Sequence, residues 1–401
     1  MKDNQAKYPQ LRFKGFTDPW EERKLGDIAP LRGGFAFKSS KFRNTGVPIV
    51  RISNILSSGE VGGDFAYYDE QDKDDKYILP DKSAVLAMSG ATTGKVSILS
   101  QTDYDKVYQN QRVGYFQSVD YIDYGFISTI VRSELFMMQL ESVLVSGAQP
   151  NVSSKEIDSF NFMIPILVQE QQQIGSFFKQ LDETIALHQR KLAKLKELKQ
   201  GYLQKMFPQN GSKFPQLRFA GFADDWEQRK LGDITKISTG KLDANAMVEN
   251  GKYDFYTSGI KKYRIDVAAF EGPSITIAGN GATVGYMHLA DNKFNAYQRT
   301  YVLQEFLVDR SFIFSEIGNK LPKKIKQEAR TGNIPYIVMD MLTELKLSIP
   351  QNNSEQQKIG SFFRQLDDTI DLHQRKLDLL KEQKKGFLQN MSPVYNSSAT
   401  P

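Results

Sequence analysis

The stretch LHQRKLAKLKELKQG at residues 187–201 returns at 372–386 as LHQRKLDLLKEQKKG, 185 positions later. The repeat extends beyond this core. Residues 170–207 align without a gap to 355–392, and 27 of the 38 positions are identical. A second repeat precedes each copy: YPQLRFKGFTDPWEERKLGD at 8–27 matches FPQLRFAGFADDWEQRKLGD at 214–233, with 15 of 20 positions identical at an offset of 206. A period near 200 residues is far longer than the roughly 20–50 residues of a solenoid unit. The chain is therefore a tandem duplication of a whole domain followed by a helix. Its 401 residues leave room for two or three compact cores.

The repeated helix is amphipathic. Ile174, Phe178, Leu181, Ile185, His188, Leu192 and Leu195 follow alternating steps of four and three, and Ile359, Phe363, Leu366, Ile370, His373, Leu377 and Leu380 repeat the pattern. Such alternation keeps one stripe facing one partner helix. Two near-identical stripes satisfy each other along their whole length, so mutual pairing is favoured over two helices that each only cover their own domain. His188 and His373 occupy equivalent places in the stripe, where polar residues commonly fix register. Glu170 and Glu355, or Ser176 and Ser361, are candidate helix starts; Pro208 and Pro393 close the copies.

Between the repeats the two copies diverge, yet landmarks survive. GATTGK at 90–95 corresponds to GATVGY at 281–286, Gln111-Arg112 to Gln298-Arg299, and GAQPN at 147–151 to GNIPY at 332–336. The offset falls from 206 to 191, 187 and 185, so most of the first copy's surplus precedes its glycine loop. The acidic, tyrosine-rich stretch EVGGDFAYYDEQDKDDKY at 60–77 is the obvious candidate. Short runs such as VPIVRI (47–52) and PSITIAG (273–279), punctuated by glycine, read as strands of a mixed α+β domain.

Composition removes several chemistries. There is no cysteine, hence no disulfide, thiolate metal site or cysteine nucleophile, and only three histidines, His188, His288 and His373, too scattered for a metal-ligand spacing. No apolar run approaches the roughly 20 residues that cross a bilayer, and the N-terminus lacks a signal-peptide pattern, so a cytoplasmic location is expected. A net charge of +5 is compatible with nucleic acid but too mild to require it.

GATTGK is one residue short of a P-loop, Val96 replaces the hydroxyl ligand, and Tyr286 replaces the lysine in the second copy. A glycine-rich turn joining two strands accounts for it better, and such a turn still allows close approach to DNA. On this basis Ser89, Thr92, Thr93 and Lys95 of the first loop, and Asn280 and Thr283 of the second, are candidate DNA contacts. Gln111, Arg112, Gln298 and Arg299 are chemically suited to base edges, since arginine forks to guanine and glutamine to adenine. Lys323, Lys324 and Lys326, within KLPKKIKQEAR at 320–330, are candidates for phosphate; a charge run of this kind is also a common soluble face. The acidic run at Asp69, Glu70, Asp72, Asp74 and Asp75 has no counterpart in the second copy and reads as a solvated loop. Pro80-Asp81 is not followed by a nuclease-type Glu-x-Lys, and no methyl-donor or helicase motif is visible, so no catalytic residue is assigned.

The arrangement PQLRF–GF–W–E–R–KLGD, a variable region opening with GGFAFKSSKF and VPIVRISNI, a GATxGK loop, then EQQxIGxFFxxLDxxIxLHQRKLxxLKxxKxG(Y/F)LQxMF resembles the specificity subunit of Type I restriction–modification enzymes, over essentially the whole chain and twice over. The resemblance implies an α+β fold. Two target-recognition domains (28–165 and 234–350) would be separated by two long helices (166–207 and 351–392) forming an antiparallel coiled coil. Residues 1–27 and 208–233 would be the repeated framework segments and 393–401 a tail, expected to be disordered. It implies a non-catalytic reader, each domain binding one half of an asymmetric, bipartite double-stranded DNA site. Two adenine-methyltransferase subunits would dock on the helices and two restriction–translocation subunits would join them. S-adenosylmethionine, ATP and Mg2+ would then sit on those partners, with no cofactor or metal in this chain. A helix of 38 residues spans roughly 57 Å, which fits half-site centres about one DNA turn, ~34–36 Å, apart. The competing classes are a self-contained DNA methyltransferase or nuclease, against which the missing motifs speak, and a protein-binding scaffold that touches no DNA.

Overall fold

The structure is a computed structural model, described over residues 8–100, 104–144, 150–209, 211–328 and 335–391. The tail 393–401, Arg330 and the first three residues of each of GAQPN and GNIPY lie outside the described residues. The chain forms two compact units, one drawn from Met1–Leu187 and Leu377–Pro401, the other from His188–Lys376.

The first unit begins with β1 (Glu21–Lys24), the short helix α1 (Leu25–Ile28), β2 (Leu31–Gly33), β3 (Val47–Val50) and β4 (Ala66–Tyr68). It continues with β5 (Ala84–Ala87), β6 (Val96–Ile98), β7 (Tyr108–Gln109) and β8 (Val113–Phe116), then α2 (Tyr124–Ile130), α3 (Glu134–Leu144), α4 (Ser154–Asp158), β9 (Asn161–Ile164) and the start of α5 (Val168–Met206). One sheet has the order β2-β8-β5-β6 and is antiparallel throughout; a second has the order β4-β3-β7. In that second sheet β3 and β7 run parallel, with Ile49 opposite Tyr108. Strands β3, β5 and β8 are buried at every residue, which is why they read in sequence as continuous apolar runs rather than alternating ones. A two-stranded ribbon of β1 and β9 ties the framework segment to the end of the domain.

The second unit repeats this plan. It contains β10 (Trp226–Lys230), α6 (Leu231–Ile234), β11 (Lys236–Thr239), β12 (Tyr253–Tyr256), β13 (Tyr263–Ile265), β14 (Phe270–Glu271), β15 (Ser274–Ala278), β16 (Met287–Ala290), β17 (Lys293–Ala296) and β18 (Thr300–Gln304). There follow α7 (Arg310–Glu328), α8 (Met339–Thr343), β19 (Lys346–Pro350) and most of α9 (Asn353–Asn390). The sheets have the orders β11-β18-β15-β16 and β13-β12-β17-β14, with β12 and β17 parallel. The main departure is α7, one 19-residue helix where the first unit has α2 and α3. Both domains are mixed α/β, and with the two long helices they make the α+β class expected from sequence.

The motif EQQxIG acquires a physical meaning here. Arg12 of the first framework segment clamps the buried Glu170 in two bonds of 2.7 Å each, and Trp20 Nε1 adds a third at 3.2 Å. In the second unit Arg218 clamps Glu355 at 2.7 and 2.8 Å. Gln171 accepts from the backbone N–H of Asp123 and donates to the carbonyl of Pro165; Gln356 does the same with Asp309 and Pro350. A Cβ on Gly175 would stand 2.6 Å from the Gly125 carbonyl carbon, and one on Gly360 the same distance from Phe312 N. Only glycine lets the first turn of α2 or α7 lie against the long helix. One glutamate, one glutamine and one glycine thus dock each domain on its helix.

The long helices pair antiparallel. Within the first unit Phe177 of α5 meets Phe387 of α9 edge-on at 5.1 Å, and Lys384 pairs with Asp182 at 2.5 Å. Within the second the same contacts recur with the helices exchanged: Tyr202 meets Phe362 at 5.0 Å, and Lys199 pairs with Asp367. Of the stripe residues, Ile174 and Phe178 lie in the core of the first domain beside Trp20 and Phe126, and Ile359 and Phe363 in that of the second beside Trp226 and Phe312. Leu192 and Leu377 are buried; Leu181, Ile185, Leu195, Leu366, Ile370 and Leu380 are half-buried. His188 and His373 bring their Nδ1 atoms to 3.3 Å. Desolvation, then the nearby Lys376 and His373, hold His188 below its ordinary pKa.

Another buried carboxyl, Glu316 on α7, has no counterpart in the first domain. It accepts from Ser348 N at 3.1 Å and Asn319 Nδ2 at 3.2 Å, and the nearest cation, Lys320 Nζ, is 3.9 Å away. Burial pushes its pKa up to about 7, opposed by Lys320 and, more weakly, Lys323. A folded-state pKa above the ordinary value means the folded protein binds this proton more tightly. The corresponding stability is present below the unfolded pKa and is lost as pH rises toward 7. Glu316→Gln is expected to melt like the parent at pH 4 and to gain on the order of 3 kcal/mol at pH 8. Thermal melts at the two pH values check this; equal shifts at both would refute it.

Candidate nucleic-acid interface

The sheet order determines where the loops go. Strand β2 is antiparallel to β8, β8 to β5 and β5 to β6. The end of β2, the start of β8, the end of β5 and the start of β6 therefore share one edge of the sheet. Because β3 is parallel to β7, the segment leaving β3 emerges beside the turn that leads from β7 into β8. Four sequence-distant loops meet at this end, and the same four meet in the second domain.

The glycine loops are tight hairpins with glycines at positive φ: Gly94 N donates to Ala87 O at 2.8 Å, and Gly285 N to Ala278 O at 2.8 Å. Each hairpin is stitched to its Gln-Arg turn by one main-chain bond, Met88 N to Arg112 O at 3.0 Å and Gly279 N to Arg299 O at 2.8 Å. On the other side the segments after GAQP and GNIP pair with the hairpins through Val152 N to Met88 O and Ile337 N to Gly279 O. The three landmarks legible in sequence are thus neighbours in space.

The candidate side chains divide into two groups. Gln111, Arg112, Gln298 and Arg299 are exposed, and among the described residues their side chains have no hydrogen-bond partner. Several hairpin residues instead brace the site. Thr93 Oγ1 donates to the carbonyls of Gly90 and Pro150, Lys95 Nζ to Ser57 Oγ at 2.7 Å, Ser258 Oγ to Asn280 Oδ1 at 2.5 Å, and Thr283 Oγ1 to the Ser258 carbonyl. Ser89 is half-buried and pairs along the backbone with Asn151; Thr92 is half-buried too. Lys323, Lys324 and Lys326 sit on the last turns of α7. Ile325, between them, would touch a Cβ on Gly285 at 2.7 Å, so this cluster stands against the second hairpin. Lys324 is engaged by Glu328, while Lys323 and Lys326 are exposed.

The loops after β3 and β12, which supply Ser57 and Ser258, were not singled out from sequence. A shared Ser-Gly pair, Ser58-Gly59 and Ser258-Gly259, was the available signal. His288 lies behind the second hairpin with Nε2 3.4 Å from Gly259 O, and burial holds its pKa below the ordinary value, so it brings no charge to the site at neutral pH. Among the described residues no group of three His, Cys, Asp or Glu side chains is placed to hold a metal ion, and no helix is long and apolar enough to cross a membrane.

The chain thus holds two copies of one α/β domain, each docked on a paired helix and each with a glutamine and an arginine at a sheet end whose side chains are exposed and, among the described residues, without a hydrogen-bond partner. The Type I restriction modification DNA specificity domain matches residues 17–197 and 223–382, and the chain belongs to that family. The EcoDI specificity subunit of Escherichia coli is 34% identical over 165 residues, covering 41% of this chain and 36% of the relative. The MjaVIII specificity subunit of Methanocaldococcus jannaschii is 26% identical over 189 residues, 45% of this chain and 44% of the relative. These matches span less than half the length of either curated relative. The crystal structure of the Type I system S subunit from M. genitalium superposes with a TM-score of 0.74, covering 97% of this chain and 100% of that one at 16% identity, and so shares the fold. The family comprises specificity subunits, the non-catalytic component of restriction–modification complexes.

Proposed function

We propose that this chain is the DNA-reading subunit of a Type I complex, each domain reading one half of an asymmetric, interrupted site. The observation that carries this is the duplicated sheet end, where exposed Gln-Arg pairs stand beside hairpins in which Thr93, Lys95, Asn280 and Thr283 are engaged by neighbouring loops. Rigid presentation of unsatisfied donors and acceptors is what base-edge recognition needs. Because the loops of the two domains differ, the two half-sites differ. The paired helices would set the spacing and dock two methyltransferase subunits, with two restriction–translocation subunits joining them. The methyl donor, ATP and Mg2+ would belong to those partners, and DNA as target places the assembly in the cytoplasm. Gln111, Arg112, Gln298 and Arg299 are assigned to bases, and Lys323 and Lys326 to phosphate.

The test is a methylome: co-express the chain with its methyltransferase partner and map modified adenines by long-read sequencing. A new motif of two short blocks around a fixed unspecified gap is expected. No new methylation together with no DNA binding by a soluble complex, at a stated salt concentration, would overturn the reading. If helix length sets the gap, inserting one heptad into each helix, near 187 and near 376, should preserve the stripe and add roughly 10 Å. The unspecified gap should then grow by about three base pairs, at about 3.4 Å each. An unchanged gap in the mapped motif would rule the ruler out.

A further inference from the structure

Phe35 is a large apolar side chain left 38% exposed at the reading end of the first domain. Its backbone N–H donates to Gln109 O at 3.1 Å, and it bridges to Asn110, immediately before Gln111 and Arg112. The preceding Gly34 crosses that main chain so closely that a Cβ would lie 2.1 Å from Asn110 O. The ring itself is held on two sides: stacked on Tyr77 with centroids 5.0 Å apart, and edge-on to Phe37 at 5.1 Å. Phe37 in turn stacks on the buried Tyr108 at 5.3 Å. Tyr77 comes from the acidic stretch that the second copy lacks, and Lys76 Nζ sits 5.1 Å over its ring. The nearby carboxylates Glu70 and Asp75 are engaged by Lys106. In the second domain the corresponding bridge is made by Leu242, half-buried and without a ring.

We propose that Phe35, propped by Tyr77, is an apolar base contact of the first domain and reads the 5-methyl group of a thymine; this rests on the DNA-reading function proposed above. A ring already fixed by its neighbours loses little freedom on binding. The major-groove edge of a base pair offers one apolar feature, the thymine methyl, to a side chain lying beside the polar readers. Gln111 and Arg112 take the hydrogen-bonding atoms, and Phe35 takes the methyl of the same or the next base pair. The acidic insertion thus contributes specificity through Tyr77, while its Glu70 and Asp75 are engaged by Lys106.

The experiment uses the whole chain complexed with its methyltransferase partner and the motif mapped by the methylome. Each thymine of the first-domain half-site is replaced in turn by deoxyuridine, and binding is measured at fixed salt. One position should weaken roughly four-fold, the weight of one buried methyl. Phe35→Ala should bind about ten-fold less tightly and should no longer distinguish thymine from uracil there, whereas Phe35→Leu should keep part of the discrimination. Responses in the other half-site should be unchanged. A half-site without thymine, tolerance of deoxyuridine at every position, or undiminished uracil sensitivity in Phe35→Ala would each overturn the assignment while leaving the DNA-reading function intact. Failure of the complex to bind any bipartite site would overturn both.

Discussion

Replacing Glu355 with alanine is expected to cost about 3–5 kcal/mol, the penalty for a buried cation stripped of its partner. The melting temperature of the second unit should fall by roughly 10 °C. Glu355 is fully buried, and both its oxygens are engaged by Arg218, whose side chain is itself only 13% exposed. Without the carboxylate the guanidinium keeps, among the described residues, a single acceptor, the carbonyl of Asp224 at 2.8 Å. The framework segment 214–233 would then lose its buried ion pair to α9 and keep the ring contacts of Phe219 with Phe362 and of Phe222 with Lys358. Glu170→Ala should do at least as much damage in the first unit, because Trp20 Nε1 also loses its acceptor; in the second unit Trp226 Nε1 has no such bond to lose. Differential scanning calorimetry of the parent and both variants reads this directly. A shift under about 2 °C for Glu355→Ala would mean that water replaces the carboxylate and that the clamp is not structural.

The second large effect is on specificity. Exchanging residues 28–165 for the corresponding domain of another family member should replace one half of the methylated motif completely and leave the other half and the gap unchanged. Each wrong base pair in a site typically costs about 1–3 kcal/mol, so a half-site of three or four pairs is enough to abolish recognition of the old motif. The structure adds conditions for success. The incoming domain must bring a residue like Asp123, whose N–H meets Gln171, and a small residue where Gly125 lies against Gly175. It must also supply a β9 able to pair with β1, since that ribbon spans the cut. Arg132, which donates to Asp182 at 2.7 Å, and Glu134, which holds Lys385 and Gln389, are further ties from the domain to the helices. Long-read methylation mapping of the exchanged chain decides the matter; a motif altered in both halves would show that the domains do not read independently.

These two experiments probe different layers, and the layers were unequally legible in the sequence. The amphipathic stripe of the long helices, the strands at Val47–Val50 and Ser274–Ala278, and the hairpin character of GATTGK and GATVGY follow from local rules. Periodicity, glycine and β-branched residues act within a few positions of one another. The clamps did not follow. Glu170 was legible only as a helix start, yet it meets Arg12 across 158 positions. Nothing in the spacing of Gln171 or Gly175 says which loop they touch.

The sequence by itself determined the duplication, the two long helices, the mixed character of the domains and the residue types carried by the loops. Tertiary structure alone decided which of those residues stand together and which remain free to bind. The cause is strand order. The parallel pairing of β3 with β7 and of β12 with β17 joins segments nearly 60 and 40 residues apart, Ile49 with Tyr108 and Asp254 with Phe294. Only when both sheets close do the glycine hairpin, the Gln-Arg turn and the Ser-Gly loop arrive at one end. There Thr93, Lys95, Asn280 and Thr283 turn inward to brace the loops, and Phe35, Gln111, Arg112, Gln298 and Arg299 are left facing outward.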